Sequence, residues 1–204
     1  MNYLAHAYLA RHQGPAFRLG NLMADHIKGP AEYCLPYVAS WSEKDQASVL
    51  AGINYHRRID RSVDHWPQVV TLRRQFLPDY RRYAGIVLDM AWDYCLARYW
   101  SSFSELPLAD FAQEEYRLLQ FTQGEQPESM RRMVAYMTKH NWLLSYQELS
   151  GIERALKGLS SRFKRENKLD LAFSEIPRLE INLLAIFPSL MDYLKEQPIK
   201  NIED

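Results

Sequence analysis

Gly52-Ile53-Asn54-Tyr55-His56-Arg57-Arg58-Ile59-Asp60 decides how this chain is read, because it sets an imidazole and a carboxylate four residues apart inside a helical pattern. At about 100° per residue, His56 and Asp60 fall on the stripe that carries Val49, Ile53, Ile59 and Val63. Asn54, Arg57, Arg58 and Arg61 fall on the opposite side or its flank. The polar pair therefore points inward and the arginines outward. A carboxylate aimed into apolar surroundings is costly without a cation, so Asp60 calls for a metal, an arginine or a lysine.

Outward from this stretch, Ser42-Glu43-Lys44-Asp45 supplies a cap for a long helix that runs to about His65, and Trp66-Pro67 ends it and begins another. Upstream, residues 2 to 12 read as a short helix closed by Gln13-Gly14-Pro15, and Phe17 to Lys28 as a second, bounded by Gly29-Pro30. Residues 31 to 46 are irregular or weakly helical, with Pro36 interrupting. Downstream, Tyr83 to Trp100 is a strongly apolar helix, and Leu108 to Gln123, Pro127 to Trp142, Gln147 to Arg165 and Ile176 to Lys195 keep helical periodicity. Alternating strands are absent. The pattern predicts a single all-α domain over 1–198, a helical bundle with a polar tail over 199–204.

Composition removes several function classes. Lysine plus arginine total 25 against 25 aspartates plus glutamates, so no net field argues for nucleic acid or an anionic membrane. Cys34 and Cys95 have neither zinc-knuckle spacing nor disulfide density and read as free thiols of a reducing compartment. No apolar run approaches membrane length, and the N-terminus lacks a basic region followed by an apolar one. A cytoplasmic protein without a membrane or nucleic-acid partner is expected.

The four-residue spacing recurs. Asn2 with His6, Asn21 with Asp25, and Asp89 with Asp93 each repeat it on a separate helical segment. Asp89 and Asp93 share their face with Ile86, Leu96 and Trp100, and two neighbouring carboxylates repel when desolvated, which favours a nearby cation. A mixed set of histidine, aspartate and asparagine suits Mn²⁺, Mg²⁺ or Fe²⁺ better than structural zinc. A hydrolytic metal site follows, in which the ion polarises a phosphoryl oxygen and activates water. His6 reads equally as a packed helix residue and as a ligand. Arg57, beside the imidazole, either solvates the helix or holds a phosphate by a bidentate contact. Arg73-Arg74, Arg81-Arg82 and Arg131-Arg132, with Lys28, together offer a basic rim for an acidic partner. No Gly-x-Ser-x-Gly elbow and no Gly-rich phosphate loop is present.

Four ordered blocks carry a resemblance. Asn2-Tyr3-Leu4-Ala5-His6, then Gly20-Asn21-Leu22-Met23-Ala24-Asp25 with Lys28-Gly29, then the Gly52 to Asp60 stretch with Asp64 and Pro67, and finally Leu88-Asp89-Met90-Ala91-Trp92-Asp93, resemble the acyl carrier protein phosphodiesterase family. The resemblance is strongest over residues 1 to about 100. It implies a hydrolase that releases 4'-phosphopantetheine from the serine of holo-acyl carrier protein, with Mn²⁺ as the usual metal. The family is similar to the all-helical HD-domain phosphohydrolases. Here His56 is followed by Arg57 where their signature has aspartate, and Asp60, one turn on, would take part of that role. Carried over by motif, His6, Asp25, His56 and Asp89 are implied metal ligands. Asp60 and Asp93 are implied further ligands or acid–base groups, with Asn21 and Arg57 orienting the phosphate. Two other readings stay open: an HD-like nucleotide phosphohydrolase, and a non-catalytic helical module that docks an acidic carrier.

Overall fold

A computed structural model describes residues 1–198; the tail expected over 199–204 lies outside the described residues. The fold is all-α, and no strand occurs among the described residues. Helix α1 spans Tyr3–Ala10, α2 Pro15–Met23, α3 Glu43–His65, α4 Pro67–Arg74 and α5 Ala84–Arg98. The second half adds α6 Leu108–Phe121, α7 Glu128–Lys139, α8 Trp142–Ser145, α9 Leu149–Ser160 and α10 Glu175–Lys195.

Local chemistry sets the ends. Ser42 caps α3 by accepting the Asp45 amide, as the sequence predicts, and Pro67 opens α4 where a missing N–H costs nothing. Two expected helices divide. The segment over Phe17–Lys28 is α-helical only to Met23 and tightens into a 3-10 turn over Ala24–His26, so Asn21 and Asp25 do not share a regular helix face. The segment over Pro127–Trp142 breaks at Asn141, whose φ of 46° is left-handed and starts the short α8. The Gln147–Arg165 segment stops at Ser160, and residues 31–37 form a 3-10 turn.

Helices α2 and α3 cross with their backbones in direct contact. A Cβ added at Gly20 would lie 2.1 Å from the Val49 carbonyl oxygen, and one at Gly52 would lie 2.1 Å from that of Phe17. Only glycine fits at either crossing point. Since Gly52 stands one turn before His56, and Gly20 one turn before Ala24-Asp25, this crossing sets Asp25 against His56.

Helix α5 runs through the interior. Val87, Leu88, Ala91, Trp92, Tyr94, Cys95, Leu96 and Ala97 are almost wholly buried, and α10 covers it on one side with Trp92 stacked on Phe187 at 6.2 Å. Cys34 and Cys95 are buried free thiols, as their spacing implies. No helix among the described residues is long and apolar enough to cross a membrane.

Candidate metal centre

Four elements converge where α1 meets α3. As the periodicity predicts, His56 is buried and Asp60 half-buried on the inner face of α3, with Val49, Ile53, Ile59 and Val63 inside the core. α1 delivers His6, whose ring stacks on that of His56 with centroids 3.6 Å apart and planes 11° from parallel. The stacked rings turn both Nε2 atoms toward Asp60: His6 Nε2 lies 3.0 Å from Oδ1 and His56 Nε2 3.2 Å from Oδ2. The 3-10 turn brings Asp25, Oδ1 of which lies 3.3 Å from His56 Nε2. Asp25 is open to solvent, with 54% of its side chain exposed, so the cluster is reached from that side.

Asp89, on α5, closes the opposite side through the Met1 ammonium, which donates 2.8 Å to Asp89 Oδ1 and 3.0 Å to Asp60 Oδ1. The cation expected beside Asp60 was a metal, arginine or lysine; the structure places two imidazoles and this amine there.

Three further predicted residues make their contacts with backbone. Asp93, fully buried, accepts the Leu4 amide at 2.8 Å and the Ala5 amide at 3.0 Å, fastening the first turn of α1 to α5. Asn21 donates from Nδ2 to the His6 carbonyl at 2.9 Å, tying α1 to α2. Arg57 donates from Nη2 to the Ile27 carbonyl at 2.9 Å, two residues past Asp25. Asn21 and Asp93 thus hold the segment that bears His6, and Arg57 the one that bears Asp25. Asn2, the remaining member of an expected pair, precedes α1 and reaches Met90 and Tyr146.

The electrostatics follow from burial and crowding. Burial alone would lower the His56 pKa, but Asp25 and Asp60 outweigh it and hold the ring up at about 9. His6, more deeply buried and beside His56, is pushed down to about 4. Burial would raise Asp60, yet the two imidazoles and the ammonium hold it well below the carboxylate range. Burial prevails at Asp89, which is raised, and at Asp93, which reaches about 7 despite its two amides.

The donor set fits a divalent cation. One atom each from His6, His56 and Asp60 lies within 4.8 Å of the others, and Asp25 borders the same space. His56 Nε2 is the informative atom. It is buried among two carboxylate oxygens, yet its direction makes no hydrogen bond to either. In the charged ring this buried N–H lacks an aligned acceptor, which is costly; a bound ion would displace the proton and take the lone pair of the neutral ring. Imidazole nitrogen with aspartate oxygen and no thiolate suits Mn²⁺, Fe²⁺ or Mg²⁺ rather than a closed structural zinc.

Comparison with known proteins supplies an independent line. A family model described as acyl carrier protein phosphodiesterase matches residues 1–194. Curated relatives bearing that name include one from Serratia proteamaculans (strain 568), 34% identical over 205 residues, which span 98% of this chain and 100% of the relative. Another, from Enterobacter sp. (strain 638), is 31% identical over 204 residues with the same shares. A third, from Klebsiella pneumoniae, is 33% identical and covers 94% of this chain and 96% of its own length. No solved structure matches.

Proposed function

The chain belongs to the acyl carrier protein phosphodiesterase family, and from that premise we propose that it hydrolyses the phosphodiester joining 4'-phosphopantetheine to the carrier serine, leaving apo-acyl carrier protein. The observation that carries the chemistry is the unpartnered His56 Nε2 between the Asp25 and Asp60 carboxylates. His6, Asp25, His56 and Asp60 would hold a divalent cation, Mn²⁺ in our reading, while Asp89, implied as a ligand by its motif, accepts from the Met1 ammonium that also reaches Asp60. When bound, such an ion polarises a phosphoryl oxygen and lowers the pKa of a water beside it.

The chain's own residues supply the rest. Stacking fixes both imidazoles so that their Nε2 atoms face one carboxylate, which reduces the reorganisation needed when the diester arrives. Asn21, Arg57 and Asp93 act as positioning residues. Each binds the backbone of a segment that bears a ligand, and so determines where His6 and Asp25 stand. The exposed flank at Asp25 admits a substrate attached to a protein surface, whereas the buried side at His6 excludes water from behind the reacting group.

Intact-mass spectrometry of holo-acyl carrier protein incubated with this protein and Mn²⁺ tests the reading. Conversion to the apo carrier is expected, with none in EDTA or with His56→Ala. A folded, metal-loaded protein that leaves the carrier unchanged would sink it, and a panel of nucleotides would then be the next substrates.

A further inference from the structure

Four arginines that the sequence presents as two separate pairs meet in one cleft. Arg73 and Arg74 end α4, Arg81 and Arg82 form the 3-10 turn leading into α5, and with Ala84 and Gly85 they line a cavity of about 360 Å³. Arg131 and Arg132, expected on the same rim, are otherwise engaged: Arg131 with the Gln126 carbonyl and Arg132 with Glu128.

The cleft is rich in uncompensated charge. Arg73 pairs with Asp64, whereas Arg74, Arg81 and Arg82 have no carboxylate partner among the described residues. The nearby Asp79 is taken by Lys168. Among the described residues Arg81 reaches only the carbonyls of Arg74 and Phe76, at 3.4 and 3.5 Å, and Arg82 lies over the Tyr83 ring at 5.0 Å. Guanidinium groups crowded in this way repel one another unless anions lie between them. The positive end of α5 opens at the same place.

Position connects the cleft to the metal centre by two routes. Asp64 follows Asp60 by one turn of α3, and Gly85 precedes Asp89 by one turn of α5, each a step of about 6 Å along its helix. The cleft therefore flanks the centre without coinciding with it. A substrate with one phosphodiester has that group at the centre and no second phosphate for the cleft. What remains beside the scissile bond is the protein to which the serine belongs.

We propose that the cleft formed by Arg73, Arg74, Arg81 and Arg82 docks an acidic face of the carrier protein next to its modified serine. The inference rests on the phosphodiesterase reading for the identity of the partner. Arg74, Arg81 and Arg82 are exposed and provide the steering charge, while Arg73 is held by Asp64 and keeps the cleft in register with α3.

The test is binding of apo-carrier, which has no phosphodiester, to the full-length protein and to an Arg74→Glu/Arg82→Glu variant. The reversal is expected to weaken binding at least tenfold at low salt and to flatten its salt dependence, with Tm unchanged. It should raise KM for holo-carrier while kcat stays level, and leave hydrolysis of bis(4-nitrophenyl) phosphate as it was. Binding within twofold of wild type, or no binding by the wild type, would overturn the docking site. Equal loss on the small diester would also overturn it, by giving the arginines to the reacting phosphate. If the wild type binds carrier but never converts it, while the reversal abolishes binding, the docking site stands and the phosphodiesterase reading fails alone.

Discussion

Gly52→Ala probes the crossing that assembles the centre. The added Cβ would stand 2.1 Å from the Phe17 carbonyl oxygen and 2.8 Å from the Asn21 amide nitrogen, where ordinary contact begins at 3.4 Å. Both neighbours are backbone, so neither can rotate away, and α2 and α3 must separate by more than an ångström. Overpacking of this kind costs about 1–3 kcal/mol or more. For a chain of this size that lowers Tm by roughly 2–4 °C per kcal/mol. The functional effect should be larger. Gly52 is one turn from His56, and Asp25 follows directly from α2, so the displacement opens the 3.3 Å approach of Asp25 to His56 Nε2. A misplacement of about 1 Å costs on the order of 10²-fold in rate. Scanning calorimetry and the rate of holo-carrier conversion, measured on one preparation, would show both losses. Gly158→Ala is the control: beyond its own stretch of helix no atom lies within 4 Å of the new Cβ, and a helical alanine there gains about 1 kcal/mol. A Gly52→Ala protein with wild-type Tm and wild-type rate would refute the claim that this contact positions the site.

The proposed metal centre, the fastening of α1 and the second buried acid each give a further expectation. Mn²⁺ at about 100 times its Kd should stabilise the protein by roughly 2.7 kcal/mol, a rise of several degrees in Tm that disappears in His6→Ala and in Asp60→Asn; an equal rise in those variants would contradict the ligand set. Asp93→Asn leaves one of the Leu4 and Ala5 amides without its acceptor, at about 1–3 kcal/mol. Hydrogen exchange should then quicken in α1 as activity falls, and unchanged exchange would argue against the fastening role. Glu115 is buried between α6 and α2, and burial pushes its carboxyl up to about 7 in spite of its Arg18 partner. A folded-state pKa above the unfolded one gives stability that is present below about 4.5 and lost as pH rises through about 7. Urea unfolding of wild type and Glu115→Gln between pH 4.5 and 8 should show the wild type losing up to about 3 kcal/mol relative to the variant; parallel profiles would show that burial does not govern this group.

The local features were legible because they depend on neighbours along the chain. A serine cap, a Trp66-Pro67 stop and a 3.6-residue apolar period define α3 with no knowledge of what packs on it, and they place His56 and Asp60 inward. The four ordered blocks marked the family for the same reason: a motif is a local pattern. The second and fourth pairs were harder to read. Asn21 and Asp25 share a spacing but not a face, because the chain tightens into a 3-10 turn between them. Asp89 and Asp93 do share a helix, yet one reaches the Met1 ammonium and the other the α1 amides, since α5 passes beneath the start of α1.

Convergence was decided by tertiary structure alone. Two glycines let α2 and α3 touch, and this contact, invisible to any periodicity, determines that Asp25 meets His56. Backbone partners of Asn21, Arg57 and Asp93 have no side-chain signature, so nothing in the sequence shows that these residues tie down the segments bearing His6 and Asp25. The two arginine pairs likewise look like solvated faces one at a time, and only the turn from α4 into α5 brings them into one cleft. Sequence determined which residues could do the chemistry, through their type and local period; the crossings of helices far apart in the chain decided which of them meet.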